Sequence, residues 1–432
     1  MTERERPRWA ERLQDEREAR GWSKPALARH LFTAAGQSPA AGQVASLARQ
    51  IRRYEAGAHF PRDWAAAYVA VFGLPDERAL FGAESASVID NEDVNRRAML
   101  GLMAAGVAAG SLSRDLEPLR GAFETAVAAE AGERDADEWE RVAYDYAHEV
   151  GFAPSTLLRP ELSTDFGELI TLIPAARGPA RTRLVHVAAQ LAALMAITLT
   201  SLGDSRGARR WWRTSARAAD QTGDPVIASF VRGRAAVFGL YLTAPRASAL
   251  ELADEAIALG RGTACVGVVS AHAARAQGLA EMGRDRDATA ALDDLRRVFE
   301  RLPESVRADR RTQWGWSDQR LHHVSSLVHT VSGDVASAMR AQEDSLAVYP
   351  ARNRQARTQI EMHRAGALMK AGDVEEGAGH LIGVLEHLPD NLHGDGLLYR
   401  SAMTSLKLTP RDLAGRACVR EARALLMTTV GP

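Results

Sequence analysis

The sequence is poor in lysine: Lys24, Lys370 and Lys407 are the only three in 432 residues, so arginine carries nearly all of the positive charge. Alanine and arginine dominate while runs of β-branched residues are few, a helix-favouring bias that argues for an all-α protein. Cysteine is scarcer still. Cys265 and Cys418 lie too far apart for metal-ligand spacing and form no disulfide framework, which suits a reducing cytoplasm. An excess of either charge is also missing. With 54 basic and 55 acidic side chains, the chain is neither a histone-like basic protein nor an acidic disordered one, and any nucleic-acid surface must be local. The best apolar stretch is expected to be a short one inside the chain. The apolar stretch Ala98 to Ala109 follows Asn95-Arg96-Arg97 as in an export signal, but it lies deep in the chain and is shorter than the roughly 20 residues a membrane span needs. Met1 to Trp9 is charged and has no apolar core. The expectation is a cytoplasmic protein of two or three domains with no membrane partner.

Helix signals crowd the first eighty residues. Pro7 to Arg20 carries Trp9, Leu13 and Ala19 and stops at Gly21, suited to a left-handed cap. Ser23 caps a second helix with Pro25 in its first turn and Leu27, Ala28 and Leu31 on its buried side. After a polar loop from about Ala35 to Gln43 comes Ser46 to Glu55, closed by Gly57. Here Leu47, Ile51 and Tyr54 share one face and Arg49, Gln50, Arg52 and Arg53 take the others. Pro61 opens a fourth helix to Phe72, and Pro75 a short fifth to Phe81. Residues 1–82 hold 13 basic and 10 acidic side chains, net +3, against 41 and 45, net −4, for the remainder.

The run Gly21-Trp22-Ser23, then Leu27-Ala28, then Ile51-x-Arg53-Tyr54-Glu55-x-Gly57-x-x-x-Pro61, then Trp64 and Phe72-Gly73-Leu74 closely resembles the Cro/cI-like (XRE) helix-turn-helix domain over residues 8–82. It resembles particularly an actinobacterial version with a lengthened link between the second and third helices, here Ala34 to Gln43. The resemblance implies that the third helix enters the major groove of double-stranded DNA, with Arg49, Gln50, Arg52 and Arg53 as base-reading or groove-phosphate candidates. Forked Arg and Gln ends suit guanine and adenine edges. Lys24 stands where glutamine is common and is expected to meet a phosphate. In the competing reading the arginines only solvate a surface helix and pair with Glu55, Asp15 or Glu16.

Gly82 to Asp93 reads as a domain boundary. Asn95 to about Val127 is expected to form two helices, Glu130 to Asp137 a solvated acidic connection, and Trp139 to Val150 and Phe166 to Ile173 further helices. An internal repeat follows. Turns at Gly203-Asp204, Ala244, Gly283-Arg284, Gly333-Asp334 and Gly372-Asp373 are separated by 41, 39, 50 and 39 residues. Ala196, Val237, Ala276, Ser326 and Ala365 stand seven residues before them, and Ala208, Ala249, Ala288, Ala338 and Gly377 follow. Small residues at these positions let paired helices approach closely, and each pair then buries its apolar side on the next. Three departures stand out: Ala244 for glycine, the spacing of 50, and Gly377 for alanine.

This pattern resembles the tetratricopeptide repeat with a lengthened period, over about Arg181 to Pro389, with further helices to Met427 capping the array. The expected organisation is a DNA-binding domain at 1–82, linker and adaptor helices at 83–180, and an α-solenoid at 181–432. A helix-turn-helix joined to such repeats resembles the peptide-pheromone receptors of Gram-positive bacteria, and more closely actinobacterial regulators built the same way. The resemblance implies a homodimeric transcription regulator with a small-molecule or peptide effector in the repeat groove. Groove-facing candidates are Gln190, Arg234, Tyr241, Gln277, Trp316, Arg320, His323 and Gln359, with Arg183 and His186 one turn upstream. Asn353 is the only asparagine inside the repeats, and the mixture of arginine, glutamine and aromatics suits a short peptide or an anionic small molecule. The alternative is an adaptor whose repeats dock a partner protein. His322, His323 and His329 lack nearby carboxylate or cysteine ligands at metal spacing, and no phosphate loop, nucleophile elbow or dinucleotide fingerprint occurs. The expectation is therefore a non-enzyme without cofactor or metal.

Overall fold

The computed structural model describes residues 7–36, 41–57, 60–61, 64–81 and 131–430. Among them are twenty α-helices and no β-strand, as the composition implied. The chain divides into two compact units, Met1–Ala129 and Glu130–Pro432.

The first unit contains α1 (Arg8–Ala19), α2 (Lys24–Ala34), α3 (Ala41–Glu55), α4 (Ala65–Phe72) and α5 (Glu77–Phe81). The punctuation follows the sequence. Gly21, Gly57 and Gly73 adopt φ of +67°, +75° and +65°, a region that disfavours any residue with a Cβ. Ser23 Oγ accepts from the Ala26 N–H at 3.2 Å. Trp9, Leu13, Leu27, Leu31, Leu47, Ile51, Tyr68 and Phe72 form the core. Two helices start elsewhere than expected: α4 at Ala65 rather than at Pro61, and α3 at Ala41, so that it absorbs three residues assigned to the preceding loop. Alanine favours the helix, and buried Val44 extends the apolar stripe of Leu47, Ala48 and Ile51 by one turn.

The second unit runs α6 (Glu133–Glu149), α7 (Ser155–Leu172), α8 (Gly178–Ser201), α9 (Ser205–Gln221), α10 (Pro225–Gly239), α11 (Arg246–Gly260), α12 (Val266–Glu281), α13 (Asp285–Glu300), α14 (Glu304–Ala308), α15 (Asp318–Ser332), α16 (Val335–Val348), α17 (Arg354–Ala371), α18 (Val374–Glu386), α19 (Gly396–Lys407) and α20 (Ala417–Thr429). All five expected turns fall between successive helices. The first member of each pair packs on the next, α8 on α10, α10 on α12, α12 on α15, α15 on α17 and α17 on α19. Helix α19 also touches α8. A Cβ on Gly396 would lie 2.5 Å from the Thr200 carbonyl oxygen, so the two backbones abut.

Each departure from the repeat pattern has a local cause. The glycine turns at 203, 283, 333 and 372 use φ between +73° and +103°. At Ala244 the connection from Leu240 to Pro245 is longer and uses no left-handed residue, so glycine is not required. Ala208, Ala249, Ala288 and Ala338 are buried, whereas a methyl on Gly377 would lie 2.8 Å from the Ala365 carbonyl oxygen. The spacing of 50 accommodates α14 and the loop 309–317.

Three expectations are corrected. The acidic stretch from Glu133 belongs to the first turns of α6 rather than to a connection. Helix α7 starts at Ser155, eleven residues before Phe166, because Leu158, Leu162 and Leu169 make one buried stripe that survives Pro160 inside the helix. Helices α6 and α7 share the core of α8 and lie in the same compact unit. The best apolar stretch was expected at Ala98 to Ala109, but α8 is longer; it is long and apolar enough to cross a membrane and has 89% of its apolar window buried inside the fold. Asn95 to Val127, including the Ala98 to Ala109 stretch, lies outside the described residues.

Candidate functional site

Two places gather the expected residues, one in each unit. In the first, burying Val44, Leu47, Ala48 and Ile51 fixes which way α3 faces. Gln50 and Arg53 are then exposed and Arg49 and Arg52 half-buried, and the Tyr54 hydroxyl donates to Gln50 Oε1 at 3.2 Å. Tyr54 is only half-buried against the core it was expected to join. Glu55 turns inward. Its carboxylate accepts from Arg17 Nε at 2.6 Å and from Arg17 Nη2 at 2.8 Å, a bidentate pair tying α1 to the end of α3. That arrangement overturns the assignment of Lys24. Its side chain is 4% exposed, with Nζ 3.7 Å from Glu55 Oε2, so it compensates a buried carboxylate instead of reaching a phosphate. Arg20 spans α1 and α4, donating to the Phe72 carbonyl at 2.6 Å with its guanidinium 4.9 Å from the Phe72 ring centre.

The second place is a cavity of about 170 Å³ in the second unit. Seven of the ten expected groove residues line it: Arg234, Tyr241, Gln277, Trp316, Arg320, His323 and Gln359. They come from α10, α12, α15 and α17 and from short segments beside them, because the first helix of each pair presents one face inward. Tyr241 and Trp316 sit just off the helices, in the turn after α10 and in the loop before α15. The remaining three do not line it. Arg183 is taken up by α6, where Glu133, Asp137 and Glu140 lie 2.5, 2.5 and 2.7 Å from its guanidinium. His186 and Gln190, half-buried on the same helix, lie outside the lining. Burial lowers the pKa of His186, and the charges of Glu140 and Asp224 oppose that shift.

Charge dominates the cavity. Arg234 is 4% exposed, packs its guanidinium 5.1 Å from the Phe238 ring centre, and donates from Nη2 to Gln313 Oε1. Its Nε is buried without a hydrogen-bond partner. Arg320 donates to the carbonyls of Gly315 at 2.8 Å and Thr312 at 3.0 Å, and its Nη2 lies 3.5 Å from the same Gln313 oxygen. Burial disfavours the charged form of both, and Arg320 adds repulsion at Arg234. Asp309 also lines the cavity, but its carboxylate accepts from the N–H groups of Arg311 and Thr312 at 3.0 and 2.9 Å and from the Thr312 hydroxyl. Burial pushes Tyr241 up to about 12 and His323 down to about 4, so both are neutral at pH 7. Gln277 is 2% exposed and its Oε1 has no donor.

No protein-family model, curated protein or solved structure matches this chain. The site's chemistry therefore rests on its own residues. The guanidiniums of buried Arg234 and half-buried Arg320 around a neutral amide oxygen, with Val237, Phe238, Trp316, Val324 and Leu397 in the walls, form a small anion-attracting pocket with apolar sides. Among the described residues no cluster of three His, Cys, Asp or Glu side chains could hold a metal. The three histidines diverge. His322 faces Asp344 and His329 faces Asp334, each at 3.7 Å, while His323 turns into the cavity beside His363.

Sequence reasoning missed Gln313, which shapes the site most. Its backbone N–H donates to the Ala147 carbonyl at 3.0 Å and its Nε2 to the Val150 carbonyl at 2.9 Å, pinning the loop to the corner between α6 and α7. The 50-residue spacing was the signal, since an enlarged connection must lead somewhere. Phe238 and Tyr349, also in the lining, gave no distinguishing signal among other apolar helix positions.

Proposed function

We propose that the chain is a sequence-specific DNA-binding transcription regulator, acting as a homodimer, whose C-terminal helical unit is a tetratricopeptide-like sensor of a small effector. The observation that carries the DNA-binding half is α3. It is a 15-residue helix, about 22 Å long, enough to lie along a major groove about 12 Å wide. Its apolar face is spent on the core, and Arg49, Gln50 and Arg53 stand on the other sides. Lys24 drops out of the interface, leaving Arg49, Gln50, Arg52 and Arg53 as the candidates for base and phosphate contacts.

The cavity supports the sensing half. Its volume of about 170 Å³ compares with the roughly 150 Å³ that holds a benzene ring, which favours a small molecule over a peptide of several residues. Effector occupancy would shift the helices that carry Arg234, Gln277, Arg320 and Gln359, and through them the separation of two recognition helices. Half-sites one helical turn apart, about 34 Å, are the geometric expectation. Footprinting on DNA upstream of the protein's own gene tests the reading. Protection that is unchanged in an Arg49→Ala plus Arg53→Ala variant would overturn it.

A further inference from the structure

We infer that the cavity of the second unit binds a small organic carboxylate, held between Arg234 and Arg320 at the place now taken by Gln313 Oε1. The inference rests on the reading of that unit as a small-effector sensor and names the ligand class.

Three observations carry it. The guanidiniums of buried Arg234 and half-buried Arg320 reach the same oxygen, yet that oxygen belongs to an uncharged amide. A carboxylate there would supply the missing charge, with two oxygens for the two forks; Arg234 Nε, now without a partner, is a further donor. The one carboxylate in the lining, Asp309, is already saturated by Thr312 and Arg311. Beyond the anchor the walls include Val237, Phe238, Trp316, Val324 and Leu397, which offer contact to an apolar body that inorganic phosphate lacks. Gln277 Oε1, buried without a donor, would be satisfied by a ligand hydroxyl or N–H.

Displacing Gln313 has a consequence for the fold. Its side chain joins Arg234 to the Val150 carbonyl, and its N–H holds Ala147. A ligand that takes the amide oxygen's place loosens the tie between the loop 309–317 and the corner after α6. An anion in the cavity thereby acts on the end of the unit where α6 and α7 begin it.

Isothermal titration calorimetry on the full chain tests this with benzoate, phenylacetate, 4-hydroxyphenylacetate and hexanoate, the neutral amide of each, and inorganic phosphate. At least one carboxylate is expected to bind with Kd of about 1 mM or tighter, and its amide about tenfold or more weaker. Arg234→Met is expected to abolish that binding. So is Gln313→Glu, which fills the site with a tethered carboxylate, and circular dichroism checks that both variants keep their helices. The inference is overturned if no carboxylate binds, if amides bind equally well, if phosphate binds more tightly than every carboxylate, or if binding survives in both variants. Footprinting reads the parent proposal separately. DNA protection without carboxylate binding sinks the ligand class alone, and carboxylate binding without any DNA protection sinks the regulator and leaves the pocket.

Discussion

A defined part of the second unit's acid sensitivity should trace to His323, by an amount the site itself sets. Burial first, and Arg320 second, push this imidazole down to about 4 from its ordinary 6.5. For a histidine with a depressed pKa the unfolded chain takes up the proton first. Stability is therefore unaffected well above pH 6.5 and is lost as pH falls through 6.5 towards 4. Between pH 7 and pH 5 this one group costs about 2 kcal/mol. Asp395 acts in the opposite direction: burial pushes its carboxyl up to about 6, so its ionisation opposes folding at pH 7 and acidification to pH 5 returns about 1 kcal/mol. The two must be separated by comparison with His323→Gln, in which Asp395 is untouched. His363 packs edge-on at 5.1 Å and is itself depressed, by burial and then by His323, so the variant also relieves His363 and the contrast grows. Tyr349, 6.3 Å away, stays neutral throughout because burial raises its pKa. Urea unfolding at the two pH values should show wild type losing about 2 kcal/mol more than the variant on acidification. Equal losses would refute the buried, neutral assignment of His323.

Further outcomes follow from the same packing. Gly233 faces Gly267 where α10 crosses α12, and a methyl there would collide with the Gly267 carbonyl oxygen; Gly233→Ala should destabilise the second unit by about 1–3 kcal/mol in urea unfolding, despite alanine's better helix propensity. Glu55→Ala removes the carboxylate reached by both Arg17 and Lys24, and thermal melts of the first unit's transition should show a loss of about 3 kcal/mol or more. Arg234→Met, by contrast, should leave the ligand-free protein as stable as wild type or more stable by about 1–4 kcal/mol, because a buried charge with no carboxylate partner opposes folding. A large loss of stability in that variant would make Arg234 a structural residue.

Local chemistry was the legible part of this fold. Ser23, Gly21, Gly57 and Gly73 announce helix ends through dihedrals and caps, requirements that involve only a few neighbours. The repeat turns were legible for the same reason, and so were five of the seven lining residues, Arg234, Gln277, Arg320, His323 and Gln359, since their register follows from turn positions and helical periodicity. What escaped depends on partners distant in sequence. Arg183 looks like a groove residue by register, and only the folding of Glu133, Asp137 and Glu140 into α6 turns it into an anchor. Lys24 looks like a surface lysine until Glu55 is seen to be buried beside it. Gln313 lies in a loop that no periodicity governs, and its role appears only when it meets Val150 and Arg234. The departures from the repeat proved as informative as the matches. Gly377 marks a close approach of two helices, and the spacing of 50 marks the loop that lines the cavity.

The central claim is that α3 reads DNA sequence, and its most direct measurement is a comparison of affinities. A binding site is first selected from a random duplex pool with the wild-type protein. Titrations by fluorescence anisotropy then use that site and a scrambled one, at two salt concentrations, with wild type and with Arg49→Ala plus Arg53→Ala. The account predicts that wild type prefers the selected site by about 10³ or more and that the variant loses most of that preference while its helical content is unchanged. No preference in the wild type, with affinity that only falls with salt, would contradict it, as would a variant that discriminates as well as the parent.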